Sequence, residues 1–286
     1  MGILMGFLPN LGDAWMYTVD AVSRFFDRVL AAPTTEFSEL VGGVYPDRAR
    51  QLGQRTAAMH QALASEESGG RFVSEPFSTL HQRALYQGMR SSTGRMLRAL
   101  KRGAAQLSPE DQSLATAVTA ARGAIIERFA PLLLQRIDAR KIRVHGDFHL
   151  GQVLNTGKDF VIVDLEGDPA RPLSERSLKR SPLVDVASMM RSFDFAAHIG
   201  LRRQQPDDQE LLAPWSRAWV ARISDGFLNA YLETLRPSGL LPENPVDLQL
   251  LLEVFKLDRA VGEIANEVAY RPEMAIVPLR AVLGAE

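Results

Sequence analysis

The stretch KIRVHGDFHLGQVLN, residues 141–155, crowds His145, Asp147, His149 and Gln152 into one short loop. Seventeen residues after Asp147, the apolar run DFVIVDLEGDP delivers Asp164 and then Glu166. On a strand, residues i and i+2 point to the same face, so a strand ending on Asp164 and Glu166 would aim both carboxylates at one site. Two carboxylates sharing a face repel unless a cation lies between them. Mg²⁺ suits such a place, because it takes one or two carboxylates and completes its shell with phosphate oxygens and water. Gln152 adds an amide oxygen to the set, and Asp147 is left as the acid free to take a proton. A catalytic-loop Asp, an amide five places on and a carboxylate after the next strand are the parts of a phosphoryl-transfer site. The protein-kinase loop reads H-R-D-x-x-x-x-N followed by D-F-G; here it reads H-G-D-x-x-x-x-Q followed by D-L-E. Two other readings of the residues stand beside this one. H-x-D-x-H is a conceivable zinc nest, although the other three histidines belong to no second motif. A loop capping its own backbone, with Asp147 in an Asx turn and His145 a satisfied donor, also fits.

The elements that must position these groups are mostly helical. DAWMYTVDAVSRFFDRVLA puts Trp15, Val19, Val22, Phe26 and Val29 on one side, with Asp13 at the N-cap. DRARQLGQRTAAMHQALA repeats the period with Leu52, Met59 and Leu63. The segment 108–137 opens on a rough capping box, Ser108 to Asp111, and is expected as one long helix kinked at Pro131. Further helices are expected over 183–200, from near Pro214 to 235, and over 247–270. Only KIRV (141–144) and DFVIVDL (159–165) look extended, and they are expected to form one hairpin across the His145–Gln152 loop. The fold class is therefore mainly α with a small β hairpin.

Composition bounds the rest. The 286 residues carry 33 basic and 34 acidic side chains and no cysteine. Balanced charge gives no support to a nucleic-acid surface or a polybasic membrane patch. Without cysteine, disulfide frameworks and thiolate catalysis are excluded. No apolar run approaches the roughly 18 residues that a membrane span needs, and the opening MGILMGFLP lacks the basic start of a signal peptide. A soluble, cytoplasmic protein is the expectation.

VHGDFHLGQVL, VIVDLEGDPARPLSER and SPLVDVASMMRSFDFAA together resemble the bacterial maltokinases, and also the maltokinase-like region fused to some trehalose synthases. FLPNLGDAWMYTVD, RTAAMHQAL and FKLDRAVGEIANEVAYRPEMAIVPLRAVL extend the resemblance over nearly the whole chain. Maltokinases belong to the aminoglycoside-phosphotransferase-like branch of the kinase fold. The resemblance implies transfer of the γ-phosphate of ATP to maltose, giving maltose 1-phosphate for α-glucan and trehalose metabolism, with Mg²⁺ as cofactor. It implies Asp147 as catalytic base, Gln152, Asp164 and Glu166 as metal ligands, and His145 and Asp185 as supports of the catalytic loop. Another small-molecule phosphotransferase of the aminoglycoside type, or a non-catalytic glucan- or partner-binding lobe, is the alternative.

Against the kinase pattern, the stretch GILMGFLPN resembles a hinge strand, and no Gly-rich loop or lysine precedes it. The resemblance then assigns 1–10 as a hinge remnant of a missing N-lobe, its backbone at Met5, Phe7 and Leu8 meeting the adenine. It assigns 11–286 as a helical C-lobe with its catalytic loop at 145–155 and its metal-binding strand at 160–167. A separate N-lobe chain or a fused trehalose synthase is the implied partner. For the acceptor sugar, Lys256, Glu263, Glu267 and Tyr270 are candidates, the first three sharing a helix face at spacings of seven and four, with a solvated salt-bridge face as the alternative. Trp15, Trp215 and Trp219 are expected in the core. The loop carrying Arg171, Arg176, Lys179 and Arg180 is read as touching phosphate or capping the helix that follows.

Overall fold

The computed structural model describes residues 6–32, 35–65, 72–169 and 172–284. It is mainly helical: α1 (Ala14–Ala31), α2 (Phe37–Leu40), α3 (Val44–Leu63), α4 (Thr79–Gly103), α5 (Pro109–Ala120), α6 (Arg122–Glu127), α7 (Leu173–Arg176), α8 (Leu183–Arg202), α9 (Pro206–Leu235), α10 (Pro245–Tyr270) and α11 (Ile276–Leu283). Two short antiparallel sheets interrupt the helices, β1 (Glu75–Pro76) with β2 (Arg140–Lys141) and β3 (Val153–Asn155) with β4 (Phe160–Ile162).

Asp13 starts α1 as its composition demands, its carboxylate accepting from the Met16 amide. Val19, Val22, Phe25, Phe26 and Val29 form the buried side of that helix. The central element is α8, which packs against α1, α9 and α10 and is buried along most of its length. Trp219 is buried and stacks on Tyr45, while Trp15 and Trp215 pack half-buried against the same core.

α3 buries Leu52, Gly53, Thr56, Ala57 and His60 rather than the expected Leu52, Met59 and Leu63 stripe. The buried side is small and polar because α9 lies so close. A Cβ on Gly53 would stand 2.2 Å from the Phe227 carbonyl oxygen and 3.0 Å from the Tyr231 nitrogen. Two backbones meet there, and neither can yield as a side chain can. Gly53→Ala is expected to cost about 1–3 kcal/mol or more through overpacking, read as a lower urea midpoint at unchanged slope.

Three expectations need correction. The 108–137 segment is not one helix kinked at Pro131. Its capping box is present, with Ser108 Oγ accepting from the Asp111 amide and donating to its carboxylate. The helix nevertheless breaks at Ala121, restarts as α6 and ends in a 3-10 turn over 130–133 that contains Pro131. Nor does α9 begin at Pro214. It begins at Pro206, where proline's fixed φ suits a first helical position, and runs through Pro214. Last, 141–144 and 159–165 do not pair. β4 turns back through 156–159 onto β3, inside the segment expected as loop, with Val153 facing Ile162. β2 pairs with β1, and Ile142 bridges Arg180.

Candidate active site

The catalytic-loop backbone is held from below. Asp185, in the first turn of α8 and 1% exposed, accepts from the His145 amide at 2.7 Å and the Gly146 amide at 3.0 Å. Its Oδ2 also accepts from His60 Nε2 at 3.0 Å, and His60 Nδ1 meets the Tyr231 hydroxyl at 3.0 Å. Burial pushes the Asp185 carboxyl up, but the hydrogen bond and charge of His60 and the donated Gly146 amide outweigh it and hold the group below the usual carboxylate range. Burial, with Asp185 adding to it, pushes the Tyr231 phenol well above its ordinary value. α3 and α9 thus reach the catalytic loop through one buried carboxylate. Gly146 makes the turn itself, with φ +83° and the Gly167 backbone packed against its open side.

His145 is fully buried. Its Nε2 donates to the Val163 carbonyl at 2.9 Å, which leaves Nδ1 facing the Asp147 amide at 3.4 Å. The ring therefore ties the loop to the segment just past β4. Asp147 points outward and is 23% exposed. Its two oxygens face two donors at equal distance, Oδ1 to Arg259 Nη2 and Oδ2 to His149 Nε2, each at 4.0 Å. His149 Nδ1 accepts from the Gly151 amide at 3.1 Å, so the neutral ring presents Nε2–H towards Asp147. Burial, helped by Arg259, pushes His149 below its ordinary range against the pull of Asp147.

The hairpin brings Gln152 to Asp164, with Nε2 donating to Oδ2 at 3.0 Å. The amide oxygen of Gln152 and the second oxygen of Asp164 are left as acceptors, a hard-oxygen pair suited to Mg²⁺. Among the described residues no cluster of three or more His, Cys, Asp and Glu could hold a metal. A cation here would complete its shell with phosphate oxygens, as Mg²⁺ does. Glu166 does not share a strand face with Asp164. β4 ends at Ile162, Asp164 has φ +61°, and Glu166 lies in the exposed turn that follows, so the alternation argument does not apply. Arg48, 8% exposed and unforeseen, anchors this hairpin. It donates to Asn155 Oδ1 and the Lys158 carbonyl, both at 2.8 Å, and its guanidinium lies 4.3 Å over Phe160.

The four acceptor candidates disperse. Glu263 accepts from Arg259 Nε at 3.2 Å and Arg191 Nε at 3.0 Å, one step from Asp147. Lys256 lines a cleft of about 330 Å³ with Arg128, Arg191 and Glu253. Glu267 is buried against Arg271, and burial raises its carboxyl. Tyr270 is exposed at the end of α10. Of the hinge residues, Phe7 and Leu8 are exposed, with the Leu8 carbonyl accepting from Asn10; Met5 lies outside the described residues. So does Arg171. Of its neighbours, Arg176 donates to the Pro169 carbonyl and Lys179 pairs with Glu75. Arg48, Arg191, Arg259 and Tyr231 are the groups that sequence reasoning passed over, and His60, read from its amphipathic helix as a packing residue, also bonds Asp185. Arg191 had a signal, a lone cation inside the apolar run VASMMRSFDFAA.

Residues 24–238 match the model of the phosphotransferase enzyme family. The chain belongs to that family. Within it, the chain is 28% identical over 282 residues to the glucosamine kinase of Streptacidiphilus jiangxiensis, covering 96% of this chain and 55% of that protein. It is 30% identical over 138 residues to the glucosamine kinase of Mycolicibacterium smegmatis, covering 47% and 32%. A solved glucosamine kinase in complex with glucosamine, ADP and inorganic phosphate superposes with a TM-score of 0.73 at 27% identity, over 97% of this chain and 58% of that one. The chain spans little more than half the length of that first relative and of the solved kinase. These relatives support the phosphotransferase branch that the sequence resemblance named and do not support maltose as the acceptor. No described helix is long and apolar enough to cross a membrane.

Proposed function

We propose that the protein is an ATP-dependent sugar kinase that phosphorylates a hydroxyl of a small sugar, an amino sugar before all others. The observation that carries this reading is the pairing of an outward Asp147, flanked by His149 and Arg259, with the joined Gln152 and Asp164 on the hairpin beside it. Asp147 takes the proton of the attacking hydroxyl as the oxygen closes in line on the γ-phosphorus. The γ-phosphoryl group leaves ADP without passing through an enzyme-bound intermediate. Gln152 and Asp164 would hold Mg²⁺, which when bound neutralises phosphate charge. His145 and Asp185 fix the loop so that Asp147 arrives oriented, which is the larger part of catalysis when the protein does little covalent work. Glu263, tied to the base through Arg259, is the candidate for contact with the acceptor, and the exposed backbone at Phe7 and Leu8 is assigned to the adenine.

An amino sugar is favoured because the relatives are glucosamine kinases. Maltose is the second reading and rests on the sequence resemblance. Full-length protein with Mg²⁺ and γ-labelled ATP, offered glucosamine, maltose and an aminoglycoside, separates them. Labelled glucosamine phosphate is expected. Label on maltose alone moves the assignment to the second reading, and label on none of the three overturns both.

A further inference from the structure

Five charges of alternating sign run from α8 through α10 to the catalytic loop. Arg191 Nη1 lies 2.7 Å from Asp194 Oδ2, and Arg191 Nε lies 3.0 Å from Glu263 Oε2. Arg259 Nε lies 3.2 Å from Glu263 Oε1, and its Nη2 lies 4.0 Å from Asp147 Oδ1. Arg191 is 1% exposed, Glu263 10% and Arg259 34%, with Asp194 at 18% and Asp147 at 23% at the two ends. Arg191 is therefore set in the core, and Arg259 stands beside the base.

The geometry of the string is restrictive. Both oxygens of Glu263 are taken by different guanidinium groups, so its carboxylate cannot rotate without losing a bond. Arg259 is planar, so fixing Nε fixes where Nη2 points. That nitrogen faces Asp147. The loop backbone is already held by Asp185, which acts on His145 and Gly146 and not on the Asp147 side chain. A second anchor, through α10, stands opposite the Asp147 carboxylate. The 4.0 Å gaps to Arg259 and His149 are too long for direct hydrogen bonds and wide enough for an acceptor oxygen to bond both sides.

We propose that Arg259 is a positioning residue for phosphoryl transfer, aiming the Asp147 carboxylate at the acceptor hydroxyl; this rests on the kinase reading above. Glu263 and Arg191 are its support, and α8 is the ultimate reference. A misplacement of about 1 Å at a reacting group costs on the order of 100-fold in rate. Arg259→Ala in the full-length protein is expected to lower kcat by roughly 10- to 100-fold, with KM for Mg-ATP within about twofold of the parent. Added guanidinium ion should restore part of kcat, and sodium chloride at equal ionic strength should not. Arg259→Lys, which keeps charge but not the planar fork, should recover less than Arg259→Ala with guanidinium. Unchanged kcat in Arg259→Ala overturns the proposal. So does a loss that guanidinium cannot relieve, because that loss would report damaged packing. A parent protein that transfers no phosphate overturns the kinase reading itself, whereas an active parent with an unimpaired Arg259→Ala overturns this assignment alone.

Discussion

Asp147→Asn is expected to lower phosphoryl transfer by about 10²- to 10⁴-fold, the usual loss when a general base is removed. The amide keeps the size of the carboxylate and one acceptor oxygen, but it cannot take a proton. Stability should barely change, because Asp147 is partly exposed and its neighbours Arg259 and His149 stand at 4.0 Å. Substitutions in such places stay within about 0.5 kcal/mol. Binding of Mg-ATP should also survive, since Gln152 and Asp164 are untouched. The measurement is kcat with the best acceptor, beside calorimetric titration of Mg-ATP. A variant that turns over at the parental rate would remove Asp147 from the role of base. One that loses nucleotide binding as well would place it among the groups that hold phosphate or metal.

What the sequence made legible is uneven, and the reason is physical. His145, Asp147, Gln152 and Asp164 stood out because a polar cluster in an apolar setting breaks pattern, and their spacing belongs to one chemistry. Helices α1, α8 and α10 were legible as helical segments, and α1 also from its N-cap Asp13. The strand pairing was not. Strands of two or three residues bury too little to impose alternation, and β3 hid inside a segment dense with polar motif residues. Glu166 was misplaced for the same reason: alternation was extended past Ile162, where Asp164 turns left-handed and ends it. His60 is legible as a packing residue, but its bond to Asp185 is not, because that partner is 125 residues away. Arg259 escaped because its partners, Asp147 and Glu263, are 112 and four residues away, and only the fold brings both to one guanidinium.

The largest loss of stability is expected from Asp185→Ala. Three donors converge on this carboxylate: the buried His145 amide and His60 Nε2, and the half-buried Gly146 amide. Truncation leaves all of them without an acceptor in a site that water reaches poorly. Stranding the partners of a buried charge costs about 3–5 kcal/mol, a large share of the 5–15 kcal/mol typical of a folded domain. The thermal midpoint should fall by on the order of 10 °C. His60→Ala in the same background should add less than it costs alone, since its partner is already gone. The pH dependence follows from the lowered carboxyl. A group depressed on folding contributes fully above its unfolded value, here near 3.8, and that contribution disappears as pH falls through the lower folded value. The gap between parent and Asp185→Ala in urea midpoint should therefore hold from neutral pH down to about 4 and narrow only in stronger acid. A gap that closes well above pH 4 would show that the lowered carboxyl does not set the energy of the network. Equal midpoints at neutral pH would show that the catalytic loop is held by something other than α8.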